Sequence, residues 1–87
     1  MDYDESDKGK ILSMCERTAG RNVIEFKNLL FYKKLQKRVE DNSIPLILVS
    51  LIWKIIGKEN ISNLDNKLKE SDGSFDKMAI TYLEDEM

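Results

Sequence analysis

Histidine is absent from the 87-residue chain, and cysteine, proline and tryptophan each occur once. Without histidine, the chain lacks the commonest general base and the commonest ligand for transition metals. A single cysteine, Cys15, excludes a disulfide within the chain and favours a reducing, cytoplasmic compartment. The sequence contains no glycine-rich phosphate loop and no nucleophile motif. We therefore expect a protein that is not an enzyme and that holds no cofactor or metal.

Long apolar runs are also scarce. The clearest run, residues 44–56, is 13 residues long, whereas a helix that spans a bilayer needs about 20. The first ten residues are acidic and polar, so we expect no secretion signal. Hydrophobic residues make up 41% of the chain and charged residues 34%, which favours a folded chain over a disordered one. This length predicts a single domain over residues 1–87.

The apolar run at residues 44–56 is predicted to be a central helix. Ser43 is a suitable N-cap, Pro45 is tolerated in a first helical turn, and Gly57 is a candidate stop. The many β-branched residues make a buried strand the alternative, but the caps and the lack of a convincing second strand favour the helix. Because the run has no continuous polar face, we expect neighbouring helices or another copy of the chain to enclose it.

Two helices are predicted before the central one. Apolar residues at helical spacing indicate a first helix over 7–19, with Ser6 as its cap. A longer helix over 22–41 follows, and Asn22 with Glu25 forms its predicted capping box. The apolar residues of this longer helix divide between two opposite faces in its first half, so we expect its first half to be buried on two sides.

Two further helices are predicted after the central one. Asn60 or Ser62 is the predicted cap of a weaker helix, with Asp65 as a capping-box partner of Ser62. Ser74 is the predicted cap of a last helix, which carries apolar residues at i, i+3, i+4, i+7 and i+8.

The resulting fold prediction is all-α. We expect a compact bundle of four to five helices around the central apolar helix, at about 44–56, which packs against the helix over 22–41. The last helix closes the core. Residues 1–5 and 84–87 are predicted to be frayed acidic tails.

Charge is distributed unevenly, although the net charge is only −2. From Arg17 to Arg38 there are seven basic residues and one acidic residue. On the predicted helix over 22–41, the basic side chains project away from Leu35 and Val39; they are Lys33, Lys34, Lys37 and Arg38, with Lys27 near the margin. Such a face can bind phosphates or an acidic protein. The alternative is a solvated face that the acidic tails partly neutralise.

Trp53 and Lys54 are the unusual residues of the central run. Trp53 either packs in the core with its indole N–H bonded, or anchors an interface. Lys54 marks the side of the helix nearest to water, because lysine is rarely fully buried. Cys15 lies in the apolar stripe of the first helix, where free cysteine behaves as a small buried hydrophobe.

The function predicted from these features is that of a small regulatory or adaptor protein that binds another protein. The candidate partner-binding residues are Lys27, Lys33, Lys34, Lys37, Arg38, Trp53 and Lys54. A nucleic-acid-binding protein that uses the basic face of the helix over 22–41 is one alternative. A self-assembling homodimer built on the central helix is another. A composition rich in Ile, Lys and Asn fits an AT-rich source such as a virus or mobile element.

Overall fold

The computed structural model describes residues 3–86. Its helices are α1 (Glu5–Ala19), α2 (Val23–Asn28), α3 (Leu30–Glu40), α4 (Leu46–Lys58), α5 (Leu64–Glu70) and α6 (Phe75–Glu86). Short 3-10 turns, Gly20–Asn22 and Ile61–Asn63, precede α2 and α5. Within the described range no strand is present, and the predicted all-α bundle is confirmed. The helices number five, as predicted, when α2 and α3 are counted together.

The helix α4 forms the centre of the bundle. Its buried side chains are Leu48, Val49, Ile52, Ile55 and Ile56. It packs mainly against α6 and α1, whereas α3 packs against α1, α2 and α5. The last helix therefore closes the core as expected, but the main second neighbour of α4 is α1 and not the helix over 22–41.

The start of α1 is anchored rather than frayed. Asp4, and not Ser6, is the cap: its carboxylate accepts a hydrogen bond from the Ser6 N–H at 3.0 Å. The Asp7 carboxylate accepts from the Asp4 N–H at 3.2 Å, which completes a capping box. Tyr3 is buried, and its hydroxyl donates to the Ile44 carbonyl at 2.8 Å. The helix consequently begins at residue 5 instead of 7.

The acidic end of the chain is also helical. Residues 84–86 form the last turn of α6, where we predicted a frayed tail. Lys58 of α4 pairs with Glu86 and also lies 5.5 Å from the centroid of the Tyr82 ring. The predicted tails also include Met1, Asp2 and Met87, which lie outside the described residues.

The predicted helix over 22–41 is interrupted at Leu29, whose backbone is extended with φ −73° and ψ 150°. The carboxylate of Asp65 in α5 accepts hydrogen bonds from the N–H groups of Leu30, at 3.3 Å, and Phe31, at 2.8 Å. These N–H groups have no partner within α3, so Asp65 caps that helix from 34 residues away.

The predicted caps of α2 and α5 are also wrong. Asn22 makes no side-chain capping bond to α2, so the expected capping box with Glu25 does not form. The start of α5 likewise has no side-chain cap from Asn60 or Ser62. Asp65, the expected capping-box partner of Ser62, bonds to α3 instead. Asn22 has φ −94° and ψ 17°, outside the extended region that is typical of an N-cap.

The start of α4 also differs from the prediction. The helix begins at Leu46, and Pro45 is the extended residue before it. The Ser43 hydroxyl donates to the Arg38 carbonyl at 3.2 Å and does not cap α4. Ser43, the predicted N-cap of α4, therefore bonds to a carbonyl near the C-terminus of α3.

Gly57 does not stop the central helix, which continues to Lys58. A Cβ atom added at Gly57 would lie 3.4 Å from Thr18 Cγ2. The glycine thus lies where α4 approaches α1 closely. The predicted cap of α6 is confirmed, since the Ser74 hydroxyl accepts from the Lys77 N–H at 3.2 Å.

The enclosure of α4 leads to a stability prediction. Ile52 is fully buried, whereas Ile47 on the same helix is 71% exposed. We expect Ile52→Asp to abolish the cooperative thermal transition measured by circular dichroism, because it buries an unpaired charge. The matched variant Ile47→Asp should melt within a few degrees of the wild type. A native melting curve for Ile52→Asp would contradict the core assignment.

The long-range cap leads to a second prediction. Asp65→Ala should lower the free energy of unfolding by about 0.5–2 kcal/mol, the usual cost of losing an N-cap. Urea denaturation measures the change. Asn66→Ala is the control, because this exposed neighbour makes no bond to α3. Equal effects of the two substitutions would show that Asp65 contributes no more than an ordinary surface residue.

Candidate functional site

A groove between α1 and α4 is lined by apolar side chains together with Ser50. It encloses about 160 Å³, and its lining residues are Ile11, Met14, Cys15, Leu46, Val49, Ser50 and Trp53. The α1 residues recur at i, i+3 and i+4, and the α4 residues at i, i+3, i+4 and i+7. This spacing places one flank of each helix along the same groove.

The groove has a buried floor and two exposed walls. Cys15 lies at the floor, with almost no exposed surface. Met14 of α1 is 39% exposed and Trp53 of α4 is 37% exposed. Apolar side chains therefore border the groove at the protein surface on both helices.

Trp53 is held in place by α1. Its indole N–H donates to the Thr18 hydroxyl, and that hydroxyl donates to the Met14 carbonyl at 2.9 Å. The polar edge of the indole is satisfied within the protein, while part of the ring stays accessible. Trp53 thus combines features of both roles weighed from the sequence, core residue and surface anchor.

Basic side chains surround this groove. Lys10 lies one turn before Met14 on α1, and Arg17 lies three residues after it. Lys10, Met14 and Arg17 all line a shallow depression, which adjoins the groove at Met14. On α4, Lys54 lies one turn after Ser50. The three basic residues are exposed, and neither depression has an acidic lining residue.

We call Lys10, Arg17 and Lys54 the cationic rim. None of them takes part in an ion pair among the described residues. Lys54 is exposed, as expected from its place in an otherwise apolar run. The rim therefore presents three positive charges that no carboxylate of the described chain neutralises by direct contact.

The basic face of α3 is of mixed charge. Lys33, Lys34 and Lys37 are exposed on the side away from the buried stripe. Lys37 pairs with Asp41 at 3.4 Å, and Asp41 lies beside Lys34 in one surface depression. Lys34 also lines a second depression, which has two more acidic residues in its lining.

The seven candidate residues predicted from the sequence do not form one site. Lys27 lies on α2, beyond the break at Leu29, and pairs at 3.8 Å with Glu16 of α1. Arg38 donates a hydrogen bond to the Ser43 carbonyl and supports the turn after α3. Lys33, Lys34 and Lys37 remain together on α3, whereas Trp53 and Lys54 belong to the groove side.

Sequence reasoning missed the α1 half of the groove. Met14 stands at the edge of the predicted apolar stripe, and Lys10 and Arg17 stand one turn to either side of it. That local pattern was visible in the sequence. Its relation to Trp53 was not, because it depends on how α1 and α4 pack.

Cys15 has no environment that would activate it. Burial is the main cause that raises the pKa of its thiol, to about 11, and the negative charge of Glu16 adds to the effect. A thiol that keeps its proton at neutral pH is a poor nucleophile and a poor metal ligand. Its side chain contributes apolar surface to the groove.

No protein-family model, curated protein or solved structure matches this chain. Over residues 3–86, no helix combines the length and the apolar composition needed to cross a membrane. The same range contains no group of three or more potential metal-ligating His, Cys, Asp or Glu side chains.

The state of Cys15 leads to a third prediction. At pH 8 the native protein should react slowly with an aromatic disulfide reagent, because the thiol is buried and protonated. The reaction should become fast in denaturing guanidinium chloride. Rapid reaction of the native protein at that pH would contradict the assignment of Cys15 to the groove floor.

The same pKa shift also has a consequence for stability. The native pKa of about 11 lies above the reference value of 9.0, so the native state retains a proton that the unfolded state loses. Stability should fall as pH rises through this window, and Cys15→Ala should make the fall smaller.

Proposed function

We propose that this chain is a small, non-enzymatic regulatory or adaptor protein that binds a segment of another protein in the groove between α1 and α4. The observation that carries the proposal is the pair Met14 and Trp53, both more than one-third exposed beside an apolar floor. Methionine and tryptophan are enriched at protein interfaces, and tryptophan is enriched among the residues that dominate binding energy.

Preorganisation supports this use of the groove. Binding costs free energy when side chains become ordered, by about 0.5–1.5 kcal/mol for each flexible one. The Thr18 hydroxyl already fixes the Trp53 indole through a hydrogen bond. A partner therefore meets a tryptophan that has lost much of its freedom on folding. Binding would act by occlusion, because the segment in the groove would be unable to contact other molecules.

The basic face of α3 supports a second candidate function, which is binding of a nucleic acid. Lys33 and Lys34 are exposed and take part in no ion pair among residues 3–86. Asp41, paired with Lys37, would repel a phosphate at the same face. The groove has no such conflict, so we favour the protein-binding function.

The single buried thiol, Cys15, supports a reducing, cytoplasmic location.

Affinity capture from the source cells tests the proposed function. The bait is the wild type, the groove variant Met14→Glu, or the α3 variant Lys33→Glu with Lys34→Glu, each with and without nuclease. We expect a protein that the wild type and the α3 variant retain and that Met14→Glu loses, because a charge on the groove wall opposes apolar contact.

Other outcomes of the capture decide against the proposal. If the captured molecules disappear after nuclease treatment and with the α3 variant, but are still captured by Met14→Glu, the result would favour nucleic-acid binding. Capture that neither variant changes would show that neither surface is used. Circular dichroism of each variant establishes that the fold is retained, which is expected because the substituted residues are exposed.

A further inference from the structure

The charge around the groove indicates the chemistry of its occupant. The chain as a whole has more acidic than basic residues, with 16 of the former and 14 of the latter. In the cationic rim, Lys10 and Arg17 nevertheless line the depression that adjoins the groove, and Lys54 lies one helical turn after the lining residue Ser50. Neither depression has an acidic lining residue. The nearby Asp7, three residues before Lys10, accepts from the Asp4 N–H within the capping box of α1. An acidic ligand would therefore meet attraction at this surface.

The unpaired state of the rim contrasts with many other lysines of the chain. Lys8, Lys27, Lys37, Lys58, Lys67 and Lys77 each lie within 4 Å of a carboxylate oxygen. A rim cation can pair with a ligand carboxylate without first breaking an ion pair within the protein. Such peripheral pairs mainly select the partner and speed association, whereas the apolar centre supplies most of the affinity.

The geometry favours a helix as the occupant. An extended peptide gains affinity by adding a strand to an exposed sheet edge, and residues 3–86 contain no sheet. The walls of the groove are helices whose backbone groups bond within each helix, so they offer side chains to a ligand. On α4 the residues that line the groove run from Leu46 to Trp53, a length of about 10 Å, or two helical turns at about 1.5 Å per residue.

We infer that the groove takes an acidic amphipathic helix from a partner protein, an inference that rests on the proposed function. Two apolar residues of the ligand, four positions apart, lie between Met14 and Trp53. Carboxylates on its flanks lie against Lys10 and Arg17 on one side and Lys54 on the other. This arrangement follows the general mode in which an amphipathic helix lays its apolar face in a groove.

A displayed peptide library tests the inference. The library consists of 12-residue helices without tryptophan that hold apolar residues at i and i+4 and vary the flanks among Glu, Lys and Gln. Peptides are selected on the wild-type protein and counter-selected on Met14→Glu. We expect the retained peptides to be enriched in Glu at the flanks. Because Trp53 is the only tryptophan of the chain, its fluorescence then measures the Kd of each synthetic peptide.

Two triple variants separate the rim from general charge effects. Lys10→Glu, Arg17→Glu and Lys54→Glu together should weaken binding of the acidic peptides by roughly tenfold or more. The matched control, Lys33→Glu, Lys34→Glu and Lys69→Glu, changes the net charge equally at exposed residues away from the groove and should change the Kd by less than about twofold. Raising the salt concentration should reduce the difference between the triple variants.

The outcomes distinguish the two levels of the proposal. If the enriched peptides are neutral or basic but fail to bind Met14→Glu, the inference of an acidic ligand is overturned. The groove would then still be a binding site. No enrichment, or equal binding to Met14→Glu, would overturn both.

A second copy of the chain is the other possible occupant, because α6 exposes Ile80 and Leu83 beside Glu84. Light scattering of the wild type is expected to show a monomer. If the wild type forms an oligomer that dissociates in both Met14→Glu and Ile80→Glu, the groove binds a second copy of the chain and not a separate partner.

Discussion

The arrangement of the first half of the chain depends on the hydrogen bonds that the Asp65 carboxylate accepts at the start of α3. By bonding to the first N–H groups of α3, the carboxylate stabilises a helix start directly after the extended residue Leu29. A continuous helix would direct Phe26 and Phe31 to different sides. The break lets both rings enter one core, where their centroids lie 6.3 Å apart. The Asp65 hydrogen bonds also join α5 to α3. At seven residues, α5 is too short to be stable alone.

An aromatic cluster connects this break to the rest of the bundle. Phe31 meets Phe75 of α6 edge-on at 5.3 Å, and Phe26 meets Tyr32 at 5.2 Å. The Tyr32 hydroxyl donates to Glu16 at 2.8 Å and so ties α3 to α1. These contacts hold α1 where one of its flanks faces α4. The position of α1, one wall of the groove, is thus set by its packing against α2 and α3 as well as against α4.

Exposed apolar residues differ in meaning according to their surroundings. Ile24, Leu30 and Ile47 are more exposed than Met14 or Trp53, but single apolar side chains on a surface are normal. Met14 and Trp53 share a groove, a buried floor and a surrounding set of unpaired cations. Convergence of shape, apolar surface and charge of one sign at one place is what supports a binding role. The depressions beside the basic face of α3 also have apolar lining residues, but carboxylates interrupt their positive charge.

The expectation that the first half of the helix over 22–41 is buried on two sides is wrong, because Ile24 and Leu30 are exposed. The sequence by itself determined the helical class, the central position of the apolar run, the burial of Cys15 and the cap at Ser74. Each follows from apolar spacing or from a bond between residues close in the chain, which local physics decides. The break at Leu29 and the groove required the tertiary structure. Suitable caps such as Ser43 and Asn22 were present, but Asp65 acts from 34 residues away. Likewise, Trp53 and Lys54 stood out in the sequence, whereas Met14, Lys10 and Arg17 join them only because α1 packs against α4.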